Sequence, residues 1–199
     1  MRTRPLALGL GASALLMLGA CTNNDSGNAP QNAQTSKAQK VAGTKTIAAG
    51  LAPAGRFMTA AKAAGLDQTL AGPGPYTVFV PDDAAFDKAP AGTFDNKPDN
   101  RPQLTGVLTN LILQGTVLVD DIGKLIDRGK GKGILATTSG GTLTATREGG
   151  KILLSDSAGN KATITRGDET YTNGVVHHVD AVLMPAKAAA APAVGQKAG

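Results

Sequence analysis

Tryptophan is missing from this sequence of 199 residues, and aromatics of all kinds make up only 3% of it. Hydrophobic residues nonetheless reach 41%. A core therefore has to be built from Leu, Ile, Val and Ala. One cysteine, Cys21, rules out an internal disulfide. Two histidines, adjacent at 177 and 178, leave little material for a metal site. No serine sits in a Gly-x-Ser-x-Gly elbow, no His/Cys/Asp cluster has ligand spacing, and no phosphate loop of the Gly-x-x-x-x-Gly-Lys-Ser/Thr type occurs. These absences argue against an enzyme and predict no catalytic residue, no metal and no cofactor. The formal charge of +5 is also modest. Setting aside Arg2 and Arg4, which lie in a segment expected to be removed, leaves 18 of the 20 basic residues against 15 acidic ones. The basic residues are scattered and have no aromatics between them for base stacking, so no nucleic-acid partner is expected.

What is present begins with an address. Two arginines in the first four residues precede an apolar run from Leu6 to Leu18, then Gly19-Ala20-Cys21. A run of about 13 residues is short of the ~20 that cross a bilayer as a helix. A basic start, a short apolar stretch and small residues read as an export signal over 1–20. Leu18-Gly19-Ala20-Cys21 resembles the lipobox of bacterial lipoproteins. The resemblance implies diacylglycerol on the Cys21 thiol, cleavage just before it, and attachment to a membrane of the cell envelope. Thr22 follows where Asp would resemble an inner-membrane retention signal, so the expectation for a Gram-negative source is the outer membrane.

Residues 21–43 then form the lipidated cysteine and a linker. From 22 to 43 there is no aromatic, Leu or Ile, too little apolar surface to offset the entropy of ordering a backbone. A flexible spacer is the expectation. The last stretch, 187–199, rich in Ala, Pro, Gly and Lys, reads as a loose tail. One folded domain over 44–186 remains.

Within it, the spacing predicts a helix over 56–64, with Phe57, Ala60, Ala61 and Ala64 on one face and Gly65 as its stop. A strand over 76–80 ends at Pro81, and Asp82 or Asp83 caps a helical turn holding Ala84, Ala85 and Phe86. Leu104, Val107, Leu108, Leu111 and Ile112 recur at helical spacing and predict one amphipathic helix stopped by Gly115. Asp120 is read as the cap of a further helix with Ile122, Leu125 and Ile126 inward. Short strands follow over 142–147, 151–155 and 161–165, separated by Gly149-Gly150 and by a polar turn from Asp156 to Asn160. A last strand is read over 175–183, ended by Pro185. Helices first and a β-meander second, with one early strand, give an α+β domain.

Two segments carry a family resemblance. Thr77-Val78-Phe79-Val80-Pro81-Asp82-Asp83-Ala84-Ala85-Phe86 and Asn173-Gly174-Val175-Val176-His177-His178-Val179-Asp180-Ala181-Val182-Leu183-Met184-Pro185 resemble the paired signatures of the fasciclin domain. Their order, at opposite ends of one domain, covers about 140 residues. The resemblance implies a twisted β-wedge with flanking short helices, in which the two signatures pack side by side in the middle. It assigns Thr77, Phe79, Pro81, Phe86, Asn173, Gly174, His177, Asp180 and Pro185 to the family motif, as scaffold. It also implies an adhesion or matrix-contact role with a protein or polysaccharide partner; a periplasmic carrier with a ligand groove is the alternative. Many members carry a Tyr-His pair in the central helix, and the matching positions here are Asn110 and Leu111. Glu169 stands where the family has a hydrophobe just before the second signature.

Other tempting patterns have plainer explanations. Adjacent strand residues point to opposite faces, so His177 and His178 cannot chelate one ion together. Asp180 is placed to satisfy backbone groups near a strand end. Lys130-Gly131-Lys132-Gly133 reads as a solvated loop able to touch anionic polymer or lipid headgroups through screened charges. Arg166-Gly167-Asp168 is an integrin-type tripeptide by composition, with Gly167 read as a turn residue.

Overall fold

The computed structural model describes residues 43–52, 55–95 and 97–185. Cys21, the leader over 1–20, the linker before residue 43 and the tail over 187–199 lie outside the described residues. The described part opens with three short helices, α1 (Ile47–Gly50), α2 (Arg56–Ala64) and α3 (Asp67–Ala71). Strand β1 (Tyr76–Pro81), α4 (Asp83–Asp87), a 3-10 turn (Pro98–Asn100), α5 (Arg101–Asn110), β2 (Ile112–Gln114) and α6 (Val119–Arg128) follow. The remainder is a meander of β3 (Gly133–Ala136), β4 (Thr142–Glu148), β5 (Lys151–Ser155), β6 (Lys161–Tyr171) and β7 (Gly174–Val179).

All seven strands join one mixed sheet in the order β2-β1-β7-β6-β5-β4-β3. Neighbours are antiparallel except β1 and β7, which run parallel in the register Thr77↔Val175, Phe79↔His177 and Pro81↔Val179. A parallel pair needs a long crossover, and here almost the whole domain is that crossover. The two signature segments therefore lie side by side, the first strand of the domain against the last. β1 is buried from Thr77 to Pro81, as a strand covered on both faces should be. The segment after β3 returns to β2: Thr138 N–H donates to Ile112 O at 2.8 Å, and its hydroxyl donates to Thr109 O at 2.8 Å. That corner brings the two edges of the sheet close, giving a wedge approaching a barrel.

Several local expectations hold with adjustments. Helix α2 buries the predicted face and Met58 besides. Strands over 142–148 and 151–155 stand where turn chemistry places them. The long helix through Ile112 does not form. It stops at Asn110; Phe79 N–H donates to Leu111 O at 2.9 Å, and Ile112 pairs with Val78 in β2. Apolar spacing alone cannot separate a helix end from a buried strand, and here the open edge of β1 decides. Asp120 is not the cap of α6: Leu118 holds that position, and Asp121 accepts its backbone N–H at 3.3 Å. Leu125 is half-buried rather than inward with Ile122 and Ile126. The last strand ends at Val179, not at 183, because Asp180 turns to the backbone of Thr163. β6 runs on to Tyr171 rather than stopping at 165. Neither α1 nor α3 was expected, nor was β3.

Candidate functional site

The motif residues are where the scaffold is tied together. Thr77 is fully buried; its hydroxyl donates to Gly115 O at 2.7 Å and accepts from Val117 N–H at 2.9 Å. Asn173 does more with one side chain. Its Oδ1 accepts from Ile47 N–H, and its Nδ2 donates to Leu70 O and Gly72 O, each at 2.8 Å. It thereby fastens α1 and the end of α3 to the start of β7. At Gly174, φ is +154° and a Cβ would stand 2.0 Å from Tyr76 O, so no side chain fits between the parallel strands. Asp180 Oδ1 accepts Thr163 N–H at 2.6 Å. Pro81 ends β1 opposite Val179, and Phe86 packs on Phe94 at 4.6 Å between ring centres, with the Arg56 guanidinium over the Phe86 ring at 5.1 Å. Pro185, half-buried, closes the described chain beside Gly106.

His177 belongs to the same scaffold. It is fully buried and lies 5.5 Å from the Phe79 ring. Its Nδ1 accepts Asp168 N–H at 3.1 Å, which leaves Nε2 to donate to Val117 O at 2.8 Å. Both ring nitrogens are thus committed to backbone groups in the neutral tautomer. Burial pushes its pKa below the ordinary imidazole value, the Val117 carbonyl opposing. The 4.0 Å approach of the Asp168 carboxylate is accordingly no ion pair.

His178 faces the other way, toward a polar cluster at the surface. Arg166 Nη2 stands 2.7 Å from His178 Nε2, and a guanidinium only donates. Nε2 therefore accepts, and Nδ1 carries the proton toward Asp82 Oδ1 at 3.4 Å. Glu169 Oε2 approaches the same Nε2 at 3.1 Å and is bridged to it by Arg166, 3.6 Å away. Tyr171 donates its phenol to the other oxygen of Glu169. That bond, above all, holds the Glu169 carboxyl below its usual range, and burial followed by the same bond pushes the phenol up. The Thr165 hydroxyl donates to Asp82 Oδ2 at 3.0 Å. Asp82, at the first position before α4, thus spends its side chain on β6 and β7 instead of capping that helix. Beside this cluster opens a cleft of 210 Å³, with Leu51, Phe57, Met58 and Val80 as its apolar wall and Arg56, Asp82, Arg166 and His178 at its polar side. Glu169, read from sequence as a lost hydrophobe, is the piece that links Tyr171 to His178. Alternation in β6 could have signalled that it shares the side of Tyr171.

The Arg-Gly-Asp tripeptide is held down, and Gly167 is not a turn residue. It sits inside β6 where the register to β7 slips twice, and a Cβ there would come within 2.3 Å of Val119 Cγ2. The Asp168 carboxylate accepts Val119 N–H at 2.8 Å, and Arg166 is engaged by His178 and Glu169. At the positions matching the family's Tyr-His pair, Leu111 is fully buried and Asn110 is 2% exposed. Asn110 Oδ1 accepts from the hydroxyls of Thr137 and Ser139, while its Nδ2 has no partner. No group of three or more metal-ligating side chains occurs among the described residues. No helix among them is long and apolar enough to cross a membrane.

Comparison with known proteins agrees with this architecture. The family model described as the fasciclin domain matches residues 53–185. The Synechocystis protein sll1483 is 33% identical over 141 residues, covering 70% of this chain and 71% of its own. The Mycobacterium bovis cell surface glycolipoprotein MPB83 is 32% identical over 120 residues, covering 60% of this chain and 48% of its own. Among solved structures, a FAS1 domain pair from the insect cell adhesion molecule Fasciclin I superposes with a TM-score of 0.55 at 20% identity, over 71% of this chain and 51% of that one. With its two signatures paired in parallel at the centre of the sheet and the family match spanning most of the chain, this protein belongs to the fasciclin-domain family.

Proposed function

We propose that the protein is an envelope-anchored adhesion module that contacts a partner through its exposed surface. The carrying observation is how the motif residues are used. Thr77, Phe79, Asn173 and His177 are all buried and joined to the domain's own backbone or packed in its core, so recognition falls to the surface around them. Relatives support the same class: one is named a cell surface glycolipoprotein. A binding role, not a catalytic one, fits the engagement of the titratable side chains around His178 with one another.

The anchor is Cys21. Lipid there, followed by the linker, holds the domain at a membrane of the cell envelope, the outer one in a Gram-negative source. Cys21→Ala should move the protein from the membrane fraction to the soluble one, and intact mass should lose the diacylglyceryl increment. Retention of the variant in membranes overturns the anchor. Clean deletion should reduce attachment to surfaces and cell aggregation; unchanged attachment overturns the adhesion role.

The cleft beside His178 favours a second reading, a carrier for a small ligand. At 210 Å³ it is below the ~300 Å³ at which drug-sized sites begin, so the ligand would be a fragment or one unit of a polymer. Native mass spectrometry of protein purified from its own host separates the readings: a stoichiometric bound molecule favours the carrier.

A further inference from the structure

The outer face of β3 and β4 is open to solvent around Ile134, Ala136 and Thr142, with Thr144 and Thr146 half-buried and Leu153 of β5 buried beside Thr146. Helix α6 packs on the other side, where Gly133, Leu135, Leu143 and Ala145 are buried. Strand alternation turns Ile134 and Ala136 outward from β3, and Thr142, Thr144 and Thr146 outward from β4. The register sets Ile134 beside Thr144, Thr144 beside Ser155 and Thr146 beside Leu153. A row of three hydroxyls therefore runs along β4, with Ile134 on one side and Ser155 on the other. Ile134, 59% exposed, is the large hydrophobic side chain left open among the described residues.

Three cations gather at one end of that row. Lys132 directly precedes Gly133, which pairs with Ala145, and Lys151 pairs with Glu148, three residues further along the same strand. Lys130 stands in the turn before β3. That turn is fixed by its backbone: Gly129 N–H donates to Leu125 O at 2.9 Å, and Gly131 N–H to Ile126 O at 2.8 Å. Lys130, Lys132 and Lys151 are exposed, and their ammonium groups make no hydrogen bond or ion pair among the described residues. Some other surface cations are paired with carboxylates, such as Lys97 with Asp95, Lys124 with Asp120 and Arg147 with Asp127. Glu148 is the acid that the register places among the three lysines.

We propose that this face binds an acidic polysaccharide, its carboxylates at Lys130, Lys132 and Lys151 and its hydroxyls along Thr142, Thr144 and Thr146. This rests on the adhesion reading and names its partner. Unpaired ammonium groups on a fixed turn attract carboxylates without first breaking a protein ion pair. Threonine hydroxyls both donate and accept, as sugar hydroxyls require. The face offers no aromatic ring on which bases could stack. One isoleucine among threonines gives little apolar surface for insertion into a bilayer.

The test uses the full chain with polygalacturonate, dextran as the neutral control, and vesicles of phosphatidylglycerol. Polygalacturonate should bind and dextran should not. Replacing all three lysines (K130Q, K132Q, K151Q) should weaken binding about tenfold at low salt and flatten its salt dependence. Thr142→Val with Thr144→Val should weaken binding with the salt dependence unchanged. Equal binding of the triple variant, equal retention on dextran, or vesicle binding abolished by Ile134→Ser in place of polymer binding each overturns the proposal. Adhesion separates the two readings: a triple variant that loses the polymer yet restores attachment to the deletion strain overturns this partner and leaves the adhesion role standing. Unchanged melting of the variants confirms that folding is not what is being read.

Discussion

The two flanks of the sheet are built on different terms. At the β1–β7 seam both strands are buried almost throughout, and the fully buried polar side chains there, Thr77 and His177, are consumed by the protein's own backbone. Across β3 and β4 one face is core and the other carries exposed or half-exposed Ile134, Ala136, Thr142, Thr144 and Thr146, with lysines at its end. A residue at the seam is fixed by many partners at once, so its identity is constrained by folding. A residue on the outer flank is constrained by alternation alone, which leaves its chemistry free to serve a partner.

Substitutions should expose that contrast, beginning with the largest effect. Gly174→Ala places a methyl 2.0 Å from the Tyr76 carbonyl at φ +154°. Separation of the parallel pair is the expected result, read as loss of the cooperative melting transition. Asn173→Ala comes next. It strands the Ile47 N–H and the carbonyls of Leu70 and Gly72, at about 3–4 kcal/mol by the usual penalty for buried unsatisfied groups; denaturant titration measures it.

His177 gives a pH signature. Its folded pKa is depressed from 6.5, so the unfolded chain takes up the proton first. Its neutral form supports the fold fully above 6.5, and that support is lost as pH falls from there through the depressed folded value. Melting temperature should therefore drop on acidification in this window. In His177→Gln, that part of the drop should vanish, because glutamine does not titrate; an unchanged slope assigns the pH dependence to other groups. The smallest effect is expected on the open flank. Thr144→Val should change stability by no more than about 0.5 kcal/mol, since its side chain points away from the core. A large destabilisation there would show that something covers this face after all.

Much of the seam was legible before any coordinates. Val78, Phe79 and Val80 run without polar interruption, and Val175, Val176 and Val179 flank the His177-His178 pair near the other end of the domain. Both stretches are rich in β-branched residues and read as strands. The family resemblance then paired them. The polar cluster around His178 was not legible, because its members sit at 82, 166, 169, 171 and 178 and meet only when a parallel pairing and a twice-bulged strand bring them together. The short helices α1 and α3 carry too few residues for a periodic signal, and the Ile47 N–H of α1 finds its acceptor in Asn173, far along the chain.

Local sequence settled the local matters: where turns must fall, which face of α2 is apolar, that no internal disulfide can form and that the core is aliphatic. Turn chemistry and alternation act between near neighbours, so they can be read in order along the chain. Tertiary structure decided where α5 yields to β2, which partners Asp82 and Asp180 serve, and which tautomer His177 holds. Each of those depends on a hydrogen-bonding group or a strand edge contributed from a distant part of the chain. A donor or acceptor chooses among the partners that folding places within about 3 Å, and no local pattern specifies them.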